Sequence, residues 1–388
     1  MEKTSGLRAA PTVLVYGRVW FGAGHWFRIA ALMQALSARF RVVCAVDGAL
    51  TPDLRVPDGV EMVQVPPLAP GGDGALAAVQ RRVEALLSIL HRVQPDILVL
   101  EYFPFGRREV TLELVKLLHA ARNGPRPALT VCSLRDIQQR TRPDQPRFDR
   151  EAATMVNRYF DAVLVHADPQ FVRFDETFAE AARVTVAVHH TGFVAPPDEP
   201  VADGKREPMV LVSAGGGRGG EALLFGAVNA QRHSDLSRDF SMRIMAGTLL
   251  PDAAWSRLQE AARDCPRLEL VRWVPSLRRE LGRASVSVSR CGYNTTLDLI
   301  RSRVPALVVP YATPSEDEQT NRAERLEQAG LARVLPEQLC EDPVTLAEEI
   351  RRTARFEPRA HGLDFGGGER SVALLEAMML ERTSASAS

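Results

Sequence analysis

The 388-residue chain lacks a charge excess of either sign, with 48 Lys and Arg set against 48 Asp and Glu. Without a bulk field, sequence-independent attraction to nucleic acid or to anionic lipid is excluded as its main task. Cysteine is scarce. Cys44, Cys132, Cys265, Cys291 and Cys340 are odd in number and far apart, which provides neither a disulfide framework nor a CxxC metal knuckle and points to a reducing, cytoplasmic setting. No run of about 18 apolar residues occurs, and the first ten residues lack the apolar core of a secretion signal, so neither a spanning helix nor an export signal is expected. Internal repeats and long low-complexity tracts are missing as well, and the ends, 1–10 and the Ser/Ala tail from Thr383, are expected to be loose.

What is present is alternation. Short β-branched runs are followed by longer stretches of helical periodicity, the signature of parallel sheets with helices on both faces. Strands are expected at Val13–Tyr16, Arg41–Val46, Ile97–Leu100, Leu129–Cys132 and Ala162–Val165, and again at Met209–Val212, Met242–Met245, Leu268–Val271, Val286–Val288 and Ala306–Val309. Between the two series, 194–208 is rich in proline and charge without periodicity and reads as a linker. The chain exceeds the size at which one core stops growing. The expected organisation is therefore two doubly wound α/β domains, 1–193 and 209–367, followed by 368–388.

In such sheets ligands gather beyond the carboxyl ends of the strands, and the unusual residues of this sequence fall there. The first strand runs into Gly17-Arg18-Val19-Trp20-Phe21-Gly22-Ala23-Gly24-His25. Gly22 and Gly24 allow a tight turn that presents N–H groups to an anion, and His25 at the helix start is either a general base or a packed or capping histidine. Arg28, one turn on, orients a phosphate or carboxylate or simply faces solvent. The second half opens with Ser213-Ala214-Gly215-Gly216-Gly217-Arg218-Gly219-Gly220-Glu221 between a strand and a helix. Gly215, Gly216 and Gly217 leave the backbone free to wrap a diphosphate, and Arg218 can add a charged contact. The Lys-Ser/Thr ending of a P-loop and the acidic partner of a dinucleotide fingerprint are both absent. A structural glycine turn is the alternative.

Ser289-Arg290-Cys291-Gly292-Tyr293-Asn294-Thr295-Thr296-Leu297-Asp298 follows another strand. Asn294 and Thr295 can cap the next helix toward the same ligand, and Asp298, expected in its first turn, suits the vicinal hydroxyls of a ribose or complements the helix dipole. In Pro310-Tyr311-Ala312-Thr313-Pro314-Ser315-Glu316-Asp317-Glu318-Gln319, the acid–amide pair Glu318 and Gln319 offers acceptors and donors to sugar hydroxyls, or caps a helix. Glu101 and Asp136 end neighbouring strands of the first half and are candidates as acceptor binders or as an alternative base, and Phe103 is among the aromatic residues that form an apolar acceptor cleft or pack into the interior.

These motifs resemble the inverting GT-B glycosyltransferases, in the branch of the peptidoglycan lipid-linked N-acetylglucosamine transferase, with a C-terminal half like that of glycosyltransferase family 28. Glu101–Arg107, Ser133–Ile137, Val163–Pro169 and Thr191–Val194 look like a bacterial group of predicted glycosyltransferases within it. The resemblance implies two Rossmann-like domains facing a cleft that holds a nucleotide-sugar, by default a UDP-sugar, and a closing helix in 368–388, from about Gly368 to Leu380, that packs back toward the N-terminal domain. It implies His25 as base with Gly22 and Gly24 in its loop, Gly215–Gly217 on the donor phosphates, Asp298 on the ribose eight residues after Arg290, and Gln319 on the sugar. An aspartate stands where glutamate is common, and Arg322 where the family often has asparagine. Metal-independent transfer of a hexose or N-acetylhexosamine to a small or lipid-linked acceptor, without a resident cofactor, is the implied activity. Peripheral membrane contact is allowed and nucleic acid is not implied. A hydrolase in which His25 activates water, and a non-catalytic nucleotide-sugar-binding protein, are the alternatives.

Overall fold

The computed structural model describes residues 10–18, 23–48, 55–68, 75–197 and 205–387, with side chains apart from those of 23–25, 75 and 385–387. The chain forms two compact units, Met1–Asp136 with Pro146–Pro196 and Asp364–Ser388, and Ile137–Gln145 with Pro197–Leu363.

The first unit is built on seven parallel strands: β1 (Thr12–Arg18), β2 (Arg41–Asp47), β3 (Val60–Val65), β4 (Ile97–Glu101), β5 (Leu129–Leu134), β6 (Ala162–Val165) and β7 (Ala187–His190). Their order is β3-β2-β1-β4-β5-β6-β7. The connecting helices are α1 (Ala23–Leu36), α2 (Ala75–Val93), α3 (Thr111–Asn123), α4 (Gln145–Tyr159) and the short α5 (Phe174–Thr177). The central strands are apolar on both faces because helices cover both, as parallel sheets require.

The second unit has six parallel strands, β8 (Glu207–Ser213), β9 (Ser241–Met245), β10 (Leu268–Val271), β11 (Ala284–Ser289), β12 (Ala306–Val308) and β13 (Arg333–Val334), ordered β10-β9-β8-β11-β12-β13. Its helices are α6 (Glu221–His233), α7 (Leu236–Asp239), α8 (Asp252–Ala262), α9 (Leu277–Arg283), α10 (Tyr293–Ser302), α11 (Glu318–Gln328) and α12 (Pro343–Ala354). Leu223, Leu224, Leu258 and Ile350 from the helices meet Val210, Val212, Val286 and Val288 of the sheet in one core.

The last helix, α13 (Gly367–Ala387), belongs to the first unit, where Val372 and Leu375 join the core that Ile29, Leu32 and Met33 of α1 form with β1, β2 and β4. The tail expected to be loose from Thr383 is instead helical: the Thr383 and Ser384 hydroxyls bond back to the carbonyls of Met379 and Leu380. Among the described residues, no helix is long and apolar enough to cross a membrane.

In both sheets the strand order reverses beside the first strand, between β1 and β4 and between β8 and β11. Crevices open at such reversals, so the loops after these four strands are the candidate positions for a ligand.

Candidate functional site

In the second unit, the chain after β8 turns through 214–220 before α6. Gly217 has φ 95°, and a Cβ there would lie 2.5 Å from the Ala246 carbonyl oxygen, so the loop is pressed onto the turn that follows β9. The Leu249 amide bonds the Gly216 carbonyl at 2.8 Å and fixes the same contact. The outer side differs. A Cβ at Gly215 would meet nothing within 4 Å, and one at Gly216 only the Leu249 methyl at 3.5 Å. Gly215, Gly216, Arg218 and Gly219 are exposed. Among the described residues, the amides of Gly216, Arg218 and Gly219 donate to no protein acceptor. One side of the loop is thus spent on packing and the other presents unused N–H groups at a helix start.

Arg290, at the end of β11, is buried and holds this loop from beneath. It donates to the carbonyls of Gly219 (2.6 Å) and Val309 (3.2 Å) and pairs with Glu337. Gly292 is the N-cap of α10, so Asn294 and Thr295 lie inside the first turn and do not cap it as expected. Asp298 is the sixth residue of α10 and sits in the second turn, not the first, which places it on one face with Asn294 and Thr295 at helical spacing.

At the start of α11, Gln319 Oε1 accepts from the amides of Cys291 (3.0 Å) and Tyr311 (3.2 Å), joining the loops after β11 and β12. Glu318 is buried and receives a 2.7 Å bond from Arg322, itself fully buried and bonded to the Cys291 carbonyl at 2.8 Å. The excursion Ile137–Gln145 also belongs to this unit, where Gln139 bonds the Ser315 carbonyl and the Arg140 amide bonds Asp317 at 2.9 Å.

In the first unit, Gly22 lies outside the described residues. Gly24 and His25 fall in the first turn of α1, and their side chains lie outside the described set. Arg28 does not face solvent, and the carboxylate it orients is the protein's own: with 0% exposure, it donates to Glu101 at 2.7 Å and to Ser133 at 3.0 Å, pinning α1 to the ends of β4 and β5. The second Glu101 oxygen is held by Arg107 at 2.9 Å. Glu101 is therefore a buried ion-pair partner, and the expectation of a surface acceptor ligand there is corrected. Of the two readings open for Phe103, packing into the interior is the one found, since it is fully buried and set against Phe160, while Asp136 is buried two residues beyond β5.

The polar chain continues inward. Ser133 Oγ is 2.9 Å from His166 Nε2, and His166 Nδ1 is 2.9 Å from Thr191 Oγ1, whose hydroxyl donates to the Gly192 carbonyl. The imidazole thus lies between two hydroxyls, with Ser133 Oγ also accepting from Arg28. Burial, reinforced by the nearby Arg28 charge, holds His166 well below its ordinary pKa, so it is neutral.

Two residues were missed in the sequence. His166 ends an apolar run and shows no local sign of its long-range partners. Trp273 did have a signal, an aromatic two residues beyond a strand. It is 43% exposed, and the carbonyl of its neighbour Arg272 bonds the Gly247 amide at 3.0 Å, beside the glycine loop.

Residues 211–361 match the glycosyltransferase family 28 C-terminal domain. A 79-residue stretch is 33% identical to the UDP-N-acetylglucosamine–N-acetylmuramyl-(pentapeptide) pyrophosphoryl-undecaprenol N-acetylglucosamine transferase of Methylococcus capsulatus and covers 20% of this chain and 22% of that protein. Over nearly its whole length the chain is similar in fold to CalG4, the calicheamicin glycosyltransferase, with 18% identity, a TM-score of 0.59 and coverage of 96% of this chain and 94% of that one. It is likewise similar to MurG of Acinetobacter baumannii, with 16% identity, a TM-score of 0.54 and coverage of 95% and 100%. Fold and domain together define the class, a glycosyltransferase of the GT-B fold. Within the chain, 211–361 is the segment that matches the family 28 C-terminal domain.

Proposed function

We propose that the protein transfers a hexose or N-acetylhexosamine from a nucleoside diphosphate sugar, with UDP as the nucleotide, to an acceptor hydroxyl, with inversion at the anomeric carbon. The observation that carries this reading is the two-sided glycine loop, closed by packing on its inner side at Gly217 and open at Gly215 and Gly216. A loop that needed glycine only to turn would have no reason to leave its outer amides exposed and unpaired at a helix start.

In this reading the diphosphate lies over Gly215, Gly216 and Gly217 with help from Arg218, and the first-turn amides of α10 at Asn294 and Thr295 complete its cradle. Asp298 takes the ribose hydroxyls from the same face of α10. The exposed indole of Trp273 offers a flat apolar platform to the nucleobase. Gln319 contacts the sugar. Leaving-group charge is met by preorganised N–H groups, which makes a metal ion unnecessary for departure. His25 in the first turn of α1 removes the acceptor proton as the acceptor oxygen attacks the face opposite the diphosphate. The buried Arg28–Glu101–Arg107 cluster supports the helix that carries it.

His25→Ala is expected to lower turnover about a hundredfold or more while UDP affinity persists, as loss of a general base predicts. Asp298→Ala is expected to weaken UDP binding in calorimetry about tenfold, the loss of one hydrogen-bonded charged contact. Full turnover in the first variant removes His25 from the reaction, and unaltered affinity in the second removes Asp298 from the ribose. Cleavage of UDP-sugar at full rate without any acceptor would turn the assignment to hydrolysis.

A further inference from the structure

The two residues that open α11 are committed unequally by the protein itself, and that asymmetry fixes what each can offer a ligand. Gln319 takes two backbone N–H bonds on Oε1, from Cys291 and Tyr311. These donors set the orientation of the amide, and among the described residues no acceptor meets Nε2. The end left for a ligand can only donate. Glu318 is committed the other way: it is buried, and Oε1 is held by Arg322 one turn along the helix. Arg322 has no exposure and also grips the Cys291 carbonyl. The Cys291 peptide is thus held at its N–H by Gln319 and at its C=O by Arg322, directly before the N-cap of α10.

We propose that Arg322 sets the specificity of the donor-sugar pocket without touching the sugar, by withdrawing the Glu318 carboxylate and leaving Gln319 Nε2 as a donor-only contact. Such a pocket selects sugars that present an oxygen acceptor at that point. The inference rests on this edge being the nucleotide-sugar site. An arginine cannot shed its charge to release the acid, whereas an apolar replacement removes the cation that holds Glu318 Oε1 in place. That carboxylate turns toward solvent or ligand, and the pocket then accepts as well as donates.

The test is calorimetric titration of the full chain and its Arg322→Met, Glu318→Gln and Gln319→Glu variants with UDP, UDP-glucose and UDP-N-acetylglucosamine. UDP alone is expected to bind Arg322→Met and Glu318→Gln within threefold of the parent. The ratio of UDP-sugar to UDP affinity is expected to hold within twofold in Glu318→Gln, to fall at least tenfold in Gln319→Glu, and to change at least fivefold or reverse its sugar order in Arg322→Met. An Arg322→Met protein with normal UDP affinity and parental ratios overturns the proposal. So does a fivefold change in Glu318→Gln, which would make the acid itself a ligand, and so does a parental ratio of one for both sugars. If Arg322→Met does not fold, the Glu318→Gln and Gln319→Glu ratios decide alone. A parent that binds neither UDP nor its sugars removes the donor-site reading first, and this inference with it.

Discussion

At the scale of single residues, neighbouring glycines in one loop do different jobs. Gly217 sits in left-handed backbone with no room for a Cβ, whereas Gly216 has space. Gly217→Ala is expected to destabilise the second unit by about 2–4 kcal/mol, the sum of a left-handed penalty and a forced backbone shift. Urea denaturation checks this, and a loss under about 1 kcal/mol would mean that the loop is not held as described. The glycine run was legible because its signal is local, a strand, a turn and a helix within about twenty residues. Arg28 was not legible. Its partners Glu101 and Ser133 are 73 and 105 residues away, and nothing near Arg28 distinguishes a buried clamp from a solvated helix face.

At the scale of elements, every central strand was readable, whereas of the four edge strands only β10 was. Ala162–Val165 and Leu268–Val271 occur with the bounds read from the sequence. The strands absent from that reading, β3, β7 and β13, all lie at sheet edges. An edge strand buries less surface, so polar residues such as Glu61, Gln64, His189 and His190 interrupt the apolar run that marks a strand. The ends of β5, β6 and β7 are joined by the Ser133–His166–Thr191 chain, which yields a pH dependence. His166 stays neutral in the fold, while in the unfolded chain it takes a proton below its ordinary value near 6.5. The unfolded state then binds more protons, so stability falls as pH drops below that point, by about 1.4 kcal/mol per pH unit for one group. His190, half-buried and also lowered by burial, adds in the same direction. The stability slope between about pH 6 and 5 should therefore be shallower in His166→Gln by about 1.4 kcal/mol per unit. Equal slopes would show that His166 is protonated in the fold.

At the scale of the whole molecule, two doubly wound sheets were expected and are present, because strand and helix periodicity repeats across the chain. Of the two exchanges of chain between the units, the return of the last helix to the first was implied by the family resemblance, whereas the excursion of Ile137–Gln145 was not read. Ile137–Gln145 leaves the first half to join the second unit, and Asp364–Ser388 returns to the first, where α13 covers α1. Such exchanges are decided by long-range contacts such as Arg140 with Asp317 and Asp168 with the Asp364 amide, which carry no local pattern. The central claim is that the second unit grips a nucleoside diphosphate on the open side of its glycine loop. It is tested most directly by calorimetric titration of UDP into the parent protein and into Gly216→Ala, a change that the loop geometry tolerates. One site on the parent, with binding at least about tenfold weaker in Gly216→Ala at an unchanged melting temperature, is the predicted result, since a methyl group on the open side displaces a charge-assisted phosphate contact. Equal UDP affinity in the two proteins, or no binding to the parent, would contradict the account.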